Sequence, residues 1–320
     1  MPRKPVTLLA ADIGGTSSRF AVFSDDAGQL RLDQSVRIPT IQAASFAELL
    51  VLLKQGPLGR LLPRCCAAAL AVAGAVQGGV FAKPPNIPWE IDLRTTDLAG
   101  LPKQVTLLND FAAQAYACGT GIAAQAVVIN PSVVRGEGVV AVIGAGTGLG
   151  HGLLIRGKNS LQALPSEAGH MAFAFSGKAE RDYERFLLER TGLEYIHADV
   201  VVSGRGLTLL HAYHFQEELE PARVASALTP DSPVQDWFAR FYGRASRQFA
   251  LAVLAMGGIF VTGGVAAKNP NLVLDPAFMA EFVNSPAYGR LLQSIPVSLN
   301  TNEDSGLWGA ALSAQLSLRR

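Results

Sequence analysis

Hydrophobic positions along the chain fall into two alternating periods. The stretch 6–12, VTLLAAD, is a near-continuous apolar run that predicts a strand, with SRFAVF (18–23) as its return partner. Phe46, Leu49, Leu50 and Leu53 recur at i, i+3, i+4 and i+7, which predicts a helix over 45–54. CCAAALAVAG (65–74) and VTLLND (105–110) predict further buried strands, and FAAQAYACG (111–119) opens a helix that Gly119 stops. GVVAVIGAGTGLGHGLLI (138–155) repeats the opening order of strand, glycine turn, strand. Helical patterns then cover 180–190, 206–219 and 232–256, before a late strand at IFVTGG (259–264) and a terminal helix at SGLWGAALSAQLSL (305–318). Strands alternating with helices make this an α/β protein, and a boundary after Asp110 is expected.

Composition narrows the picture. The chain has 320 residues, a length that favours two domains, with 49% apolar and 17% charged residues, as a globular protein has. Lys and Arg number 27 against 26 Asp and Glu, so no net field exists to hold nucleic acid or anionic lipid. Cys65, Cys66 and Cys118 make an odd count without CxxC spacing, and read as buried small residues in a reducing compartment. The stretch 249–267 carries no charge over nearly a membrane's thickness, but Gly257-Gly258 and Gly263-Gly264 divide it into a helix end, a short strand and a turn. Arg3 and Lys4 precede an apolar run that Asp12 interrupts too early for a signal peptide, so a cytoplasmic location is expected.

The internal echo carries the chemistry. DIGGTSSRFAVF (12–23) and GAGTGLGHGLLI (144–155) each set glycines and a threonine in a tight turn between apolar strands. Such turns present successive backbone N–H groups, and bare Cα atoms let a phosphate approach. Either turn alone is equally well a structural hairpin, whereas the pair suits a clamp on a polyphosphate. The glycines at 144, 146, 148 and 150 do not fit G-x-G-x-x-G. Gly152, Gly157 and Lys158 imitate a P-loop, but Asn159 stands where a hydroxyl must meet magnesium, and RGKN reads as a hairpin tip.

A carboxylate at Asp12 beside a phosphate turn would repel a bare phosphate, and makes sense where Mg²⁺ lies between, with Gly14, Gly15 and Thr16 cradling the terminal phosphates. The alternative is an Asp that caps its own turn. Asn109 and Asp110 end an apolar strand, where α/β ligand sites form; together they can bind adjacent hydroxyls, and the carboxylate can take a hydroxyl proton. In LPSEAGH (164–170), Glu167 and His170 flank a small-residue turn and can bind hydroxyls of a polyol.

Taken in order, these segments resemble the bacterial glucokinase family within the hexokinase and actin-like ATPase superfamily. DIGGTSSRFAV and GAGTGLG are similar to its two phosphate segments, NDFAAQAYA to its catalytic segment, LPSEAGH to its sugar loop, FVTGGV to its adenosine segment, and VVSGRGL and SGLWGAA to two others. The resemblance implies two ribonuclease-H-like domains with an interdomain cleft: a small one over 1–110 completed by helix 305–320, and a large one over 111–304. It implies ATP and Mg²⁺ as cosubstrates, glucose phosphorylated at its 6-hydroxyl as the entry step of glycolysis, and a homodimer as the assembly.

By the same resemblance Asp110 is the base. Asn86 (in PPNIPW), Asn109, Asp110, Glu167, His170 and Asp199 meet the sugar; Gly146, Thr147 and Gly148 hold phosphate; Gly263 and Gly264 lie against the nucleoside; and Asp12 holds Mg²⁺ through water. Two positions depart from the family pattern: Ser17 stands where Asn is usual, and Asp199 aligns with a glutamate one methylene longer. The zinc-binding His/Cys cluster of the related repressor–kinase group is missing, which places the chain in the non-zinc branch, and no DNA-binding domain fits before residue 6. A kinase for mannose, fructose or glucosamine, and an actin-like nucleotide-binding scaffold, are the competing readings.

Overall fold

A computed structural model describes residues 6–131, 138–158 and 160–319. The chain divides into two compact units. The first comprises Met1–Gln125, Asn159–Pro165 and Asp304–Arg320; the second comprises Ala126–Lys158 and Ser166–Glu303.

In the first unit, β1 (Val6–Ile13), β2 (Ser17–Asp26) and β3 (Gln29–Pro39) form an antiparallel meander. Helix α1 (Phe46–Gln55) leads to β4 (Cys65–Val72), a three-stranded ribbon of β5 (Val76–Gln77), β6 (Phe81–Ala82) and β7 (Ile91–Asp92), then β8 (Gln104–Asn109) and α2 (Asp110–Ala117). The main sheet runs β3-β2-β1-β4-β8, with β4 parallel to both β1 and β8. Strands buried on both faces read as unbroken apolar runs, which is why 6–12 and 65–74 carry no polar alternation. On one face α1 buries the four residues its period selects, Phe46, Leu49, Leu50 and Leu53, with Ser45 Oγ capping the helix at the Glu48 N–H. On the other face the C-terminal helix (Ser305–Ser317) lies over Ala67, Ala69 and Ala71 of β4. Gly309 of that helix meets Ala113 of α2 so closely that a Cβ would overlap the Ala113 carbonyl. Helix α2 therefore belongs to the first unit, and the division falls after Gln125 rather than after Asp110.

The second unit begins with β9 (Val127–Asn130), β10 (Val140–Ala145) and β11 (Leu149–Arg156); β12 (Leu161–Ser166) comes next in the chain, with residues 161–165 counted in the first unit, and the tip expected at 156–159 includes Asn159, outside the described residues. Helices α3 (Gly177–Thr191), α4 (Ala198–Val201), α5 (Gly204–Phe215), α6 (Pro221–Ala227) and α7 (Pro233–Val253) precede β13 (Gly258–Thr262). Four short helices, α8 (Gly264–Lys268), α9 (Asn271–Leu274), α10 (Pro276–Phe282) and α11 (Gly289–Ser294), lead to β14 (Val297–Leu299). The sheet passes β11-β10-β13-β14-β9, with β10 and β13 parallel. Helix α5 ends earlier than its apolar pattern suggested, because Gln216 takes the left-handed conformation with φ 55°. Likewise α7 stops at Leu254, with φ 46°.

An aromatic core of Phe173, Tyr183, Trp237 and Phe241 fills the unit. A buried ion network threads it: Arg244 binds Glu180 and Glu281, and donates to the Ala174 carbonyl at 2.9 Å. The uncharged stretch 249–267 spans the end of α7, β13 and the start of α8, and among the described residues no helix is long and apolar enough to cross a membrane. The three thiols are free. Cys65 and Cys118 are buried, whereas Cys66, expected inside, is exposed because it faces away from the core at the start of β4. Burial pushes the Cys65 thiol up to about 12, so it is inert at neutral pH.

Candidate active site

Each unit carries its own glycine turn at the end of a β-hairpin. In the first, β1 and β2 pair so that Asp12 lies opposite Arg19 and Ile13 opposite Ser18. Asp12 faces a cation of the chain itself: Arg19 donates to its Oδ2 at 2.5 Å and to Asp304 Oδ1 at 3.3 Å. The bare backbone at Gly15 has a local cause. A Cβ there would sit 2.6 Å from the Asn86 carbonyl oxygen, so the loop carrying Asn86 lies directly on the turn. Gly14 N–H donates to the Ser17 carbonyl, and Thr40 Oγ1 to the Gly14 carbonyl at 2.6 Å. At the position of family Asn, Ser17 Oγ accepts from exposed Arg37 at 2.6 Å.

Asn109 and Asp110 sit where β8 becomes α2. Asn109 is the N-cap: its Oδ1 accepts from Phe111 N–H at 2.8 Å and Ala112 N–H at 3.0 Å, while Nδ2 donates to the Gly74 carbonyl. The cap locks the strand-to-helix corner and places Asp110 at the first helical residue, where the helix dipole favours a carboxylate. Phe111 N–H also donates to Asp110 Oδ1 at 2.9 Å.

In the second unit, the turn between β10 and β11 carries Gly146, Thr147 and Gly148. Gly146 N–H donates to the Gly148 carbonyl at 2.7 Å, and Gly204 N–H to the Gly146 carbonyl at 2.9 Å. A Cβ on Gly146 would meet nothing within 4 Å, which leaves the approach to its backbone open. Tyr242, fully buried on α7, anchors the base of the turn: its hydroxyl accepts from Ala145 N–H at 3.0 Å and donates to the Thr262 carbonyl at 3.2 Å. Gly263, at φ 89°, follows Thr262 and packs so tightly on Ala145 that no side chain fits, while a Cβ at Gly264 would meet open space.

Glu167 and His170 bracket a single 3-10 turn, Ala168–His170, and both are exposed. His170 Nε2 lies 4.0 Å from Glu167 Oε2. Gly169 between them rests on the Leu149 carbonyl. The residues that follow pair with the approach to α4: Phe173 N–H donates to the Ile196 carbonyl at 2.8 Å, and Ala198 N–H to the Met171 carbonyl at 3.1 Å. This brings Asp199 to the Gly146–Gly148 turn, where its Oδ1 accepts from Leu149 N–H at 2.5 Å.

Sequence reasoning missed His197, whose ring lies 5.0 Å from that of His170 with a buried, unpartnered Nδ1. Burial holds its pKa below the ordinary value, with the Asp199 charge pulling the other way. It also missed Arg19 and Tyr242 as supports of the two turns. The cross-strand register would have found Arg19, since Asp12 and Arg19 are equidistant from the turn's centre; nothing in the local pattern marks His197 or Tyr242.

The sequence profile described as Glucokinase matches residues 9–317. The chain belongs to the glucokinase family. It is 29% identical over 344 residues to the glucokinase of Nostoc punctiforme, covering 96% of this chain and 98% of that protein. It is 30% identical over 335 residues to that of a Chelativorans species, covering 98% and 92%. Among solved structures, glucokinase from an Antarctic psychrotroph superposes with a TM-score of 0.82 at 28% identity, covering 97% of this chain and 99% of that one. The two-domain α/β architecture is thus the family's own.

Magnesium is held by one or two carboxylates together with phosphate oxygens and retained waters. The first turn fits that chemistry in one way. Arg19 already occupies Asp12 Oδ2, so the carboxylate suits an ion reached through water better than one bound directly. Among the described residues no group of three or more His, Cys, Asp or Glu side chains could hold a metal by itself.

Proposed function

We infer that this chain, an ATP-dependent glucose kinase of the glucokinase family, uses Asp110 as the general base for the sugar's 6-hydroxyl. The observation that carries this reading is the Asn109 cap, which fixes Asp110 at the head of α2 by two backbone hydrogen bonds. A base must be held in place before its basicity matters. In this reading Asp110 takes the 6-hydroxyl proton as that oxygen attacks the terminal phosphorus of ATP, and ADP departs with the β-phosphate oxygen. Asn86, Asn109, Glu167, His170 and Asp199 order the ring hydroxyls by hydrogen bonding. The first turn (Gly14, Gly15, Thr16) and the second (Gly146, Thr147, Gly148) present N–H and hydroxyl donors to phosphate oxygens, and Gly263 and Gly264 leave room for the nucleoside. Asp12 would hold Mg²⁺ through water, and the ion, when bound, neutralises phosphate charge. Positioning and charge neutralisation are most of what phosphoryl transfer requires. A homodimer in the cytoplasm is the expected working form.

The test is Asp110→Asn. Turnover should fall by about 10²–10⁴-fold, the usual contribution of a positioned base, while ADP affinity is retained. A coupled assay with glucose, mannose, fructose and glucosamine ranks the hexoses. Near wild-type turnover in the variant would remove Asp110 from the role.

A further inference from the structure

Leu149 is held through both of its backbone polar groups. Its carbonyl lies against Gly169 at the heart of the Glu167–His170 loop, and its N–H is bound by Asp199. Leu149 is also the residue directly after the second phosphate turn, whose last glycine, Gly148, has the Asp199 carboxylate lying where a Cβ would be. Asp199 belongs to the four-residue helix α4, which is tied to the exit of the sugar loop through Phe173, Ile196, Met171 and Ala198. The residue after α5's cap continues the pattern, since Gly204 N–H holds the Gly146 carbonyl. One short, rigid segment thus fastens to the sugar loop at one end and to the phosphate turn at the other.

We propose that Asp199 is a positioning residue that couples sugar binding to nucleotide binding: one carboxylate oxygen fixes the Leu149 amide and hence the Gly146–Gly148 turn, while the other engages a sugar hydroxyl. The inference rests on the kinase reading above and deepens it. It also gives the shortened side chain a reason. The carboxylate already fills the space over Gly148, so an added methylene would carry it past the Leu149 N–H. A sugar that orders Asp199 orders the turn as well, and the turn then binds phosphate with less loss of freedom. Such coupling is reciprocal, with typical factors of about 5- to 150-fold.

The experiment is calorimetric titration of ADP with and without saturating glucose, and of glucose with and without ADP. Wild-type protein should bind each ligand more tightly in the presence of the other by the same factor, within about 5- to 150-fold. Asp199→Ala should bring that factor close to one and weaken ADP binding without sugar about tenfold or more, the usual effect of deleting a hydrogen bond to a charged group. Asp199→Asn keeps an acceptor for Leu149 and should retain part of the coupling, whereas Asp199→Glu should lose it despite keeping the charge. Retained thermal stability shows that the variants are folded. An unaltered coupling factor in Asp199→Ala, or wild-type protein that binds both ligands independently, overturns the proposal. A wild-type chain that binds ADP but no glucose overturns the kinase reading, and this inference with it.

Discussion

Where the first turn carries Asp12 opposite Arg19, the second carries Ile143 opposite His151. Both turns are antiparallel hairpins with a parallel neighbour on the leading strand, and both carry a Gly-Thr pair. The pairs at their bases differ in kind. Asp12 and Arg19 are a partly exposed ion pair, while His151 is buried to 3% exposure against Phe249 with an unpartnered Nδ1. Following each threonine the roles reverse: Ser17 projects a side chain to Arg37, whereas Gly148 can bear none because Asp199 lies over it. The first turn takes its carboxylate from its own leading strand, and the second takes one from helix α4. Backbone shape is repeated, and electrostatics are supplied separately.

The largest effect that should separate the two turns is on stability. Burial holds His151 at about 4, well below 6.5, with a backbone hydrogen bond at Leu149 opposing the shift. The unfolded chain therefore binds more protons between those values, and stability rises with pH there: it is complete above pH 6.5 and is lost as pH falls toward 4. The loss amounts to about 3 kcal/mol. Denaturant titrations of wild type and His151→Met across this window should diverge as pH falls; parallel curves would remove His151 as the cause.

Next comes the exchange of Ser17 and Gly148. Gly148→Ser must displace the Asp199 carboxylate and should weaken ADP binding by about 10- to 150-fold, the loss of one charge-assisted hydrogen bond. Equal ADP affinity in wild type and variant would show that the carboxylate's position does not matter to the turn. Asp12→Asn should lower turnover about 10- to 100-fold, the usual effect of disturbing a partner held outside a metal's direct ligands. Added Mg²⁺ should restore part of that loss, and isothermal titration of Mg²⁺ into the ADP complex should report the weaker ion affinity; a loss indifferent to Mg²⁺ would return Asp12 to the role of turn cap. Ser17→Gly removes only an exposed hydrogen bond and should change stability by less than about 1 kcal/mol. A larger change would mean that Arg37 is held for a purpose at that turn.

Much of this was legible in the chain because hairpins and capped helices are local. The apolar run that closes on Asp12 and the four-residue apolar stripe of α1 each arise within about ten residues and reappear in the structure where the sequence places them. The edge strand β3 was missed, since QLRLDQSVRIP has one weakly apolar face and belongs to no motif. Long-range partners were missed for a different reason. Asp199 reaches Leu149 across 50 positions, and Tyr242 reaches Ala145 across 97. Such contacts depend on how α4 and α7 pack, and no local period encodes that. The boundary after Asp110 failed likewise, because what retains α2 in the first unit is Gly309, almost two hundred residues downstream.

That discontinuity fixes an order of events during synthesis. Residues 126–303 hold the whole of the second unit and are synthesised before the segment Asp304–Arg320. Domains fold as units while the chain emerges. The sheet of β1, β2 and β4 must therefore wait, with the alanine face that the C-terminal helix covers still bare, until the second unit is finished. Helix α2, with Asp110 at its head, gains its packing partner only in that last step. A chain interrupted just short of residue 304 keeps the second unit and lacks the helix that packs on α2, so the support beneath Asp110 is the first thing such a product loses.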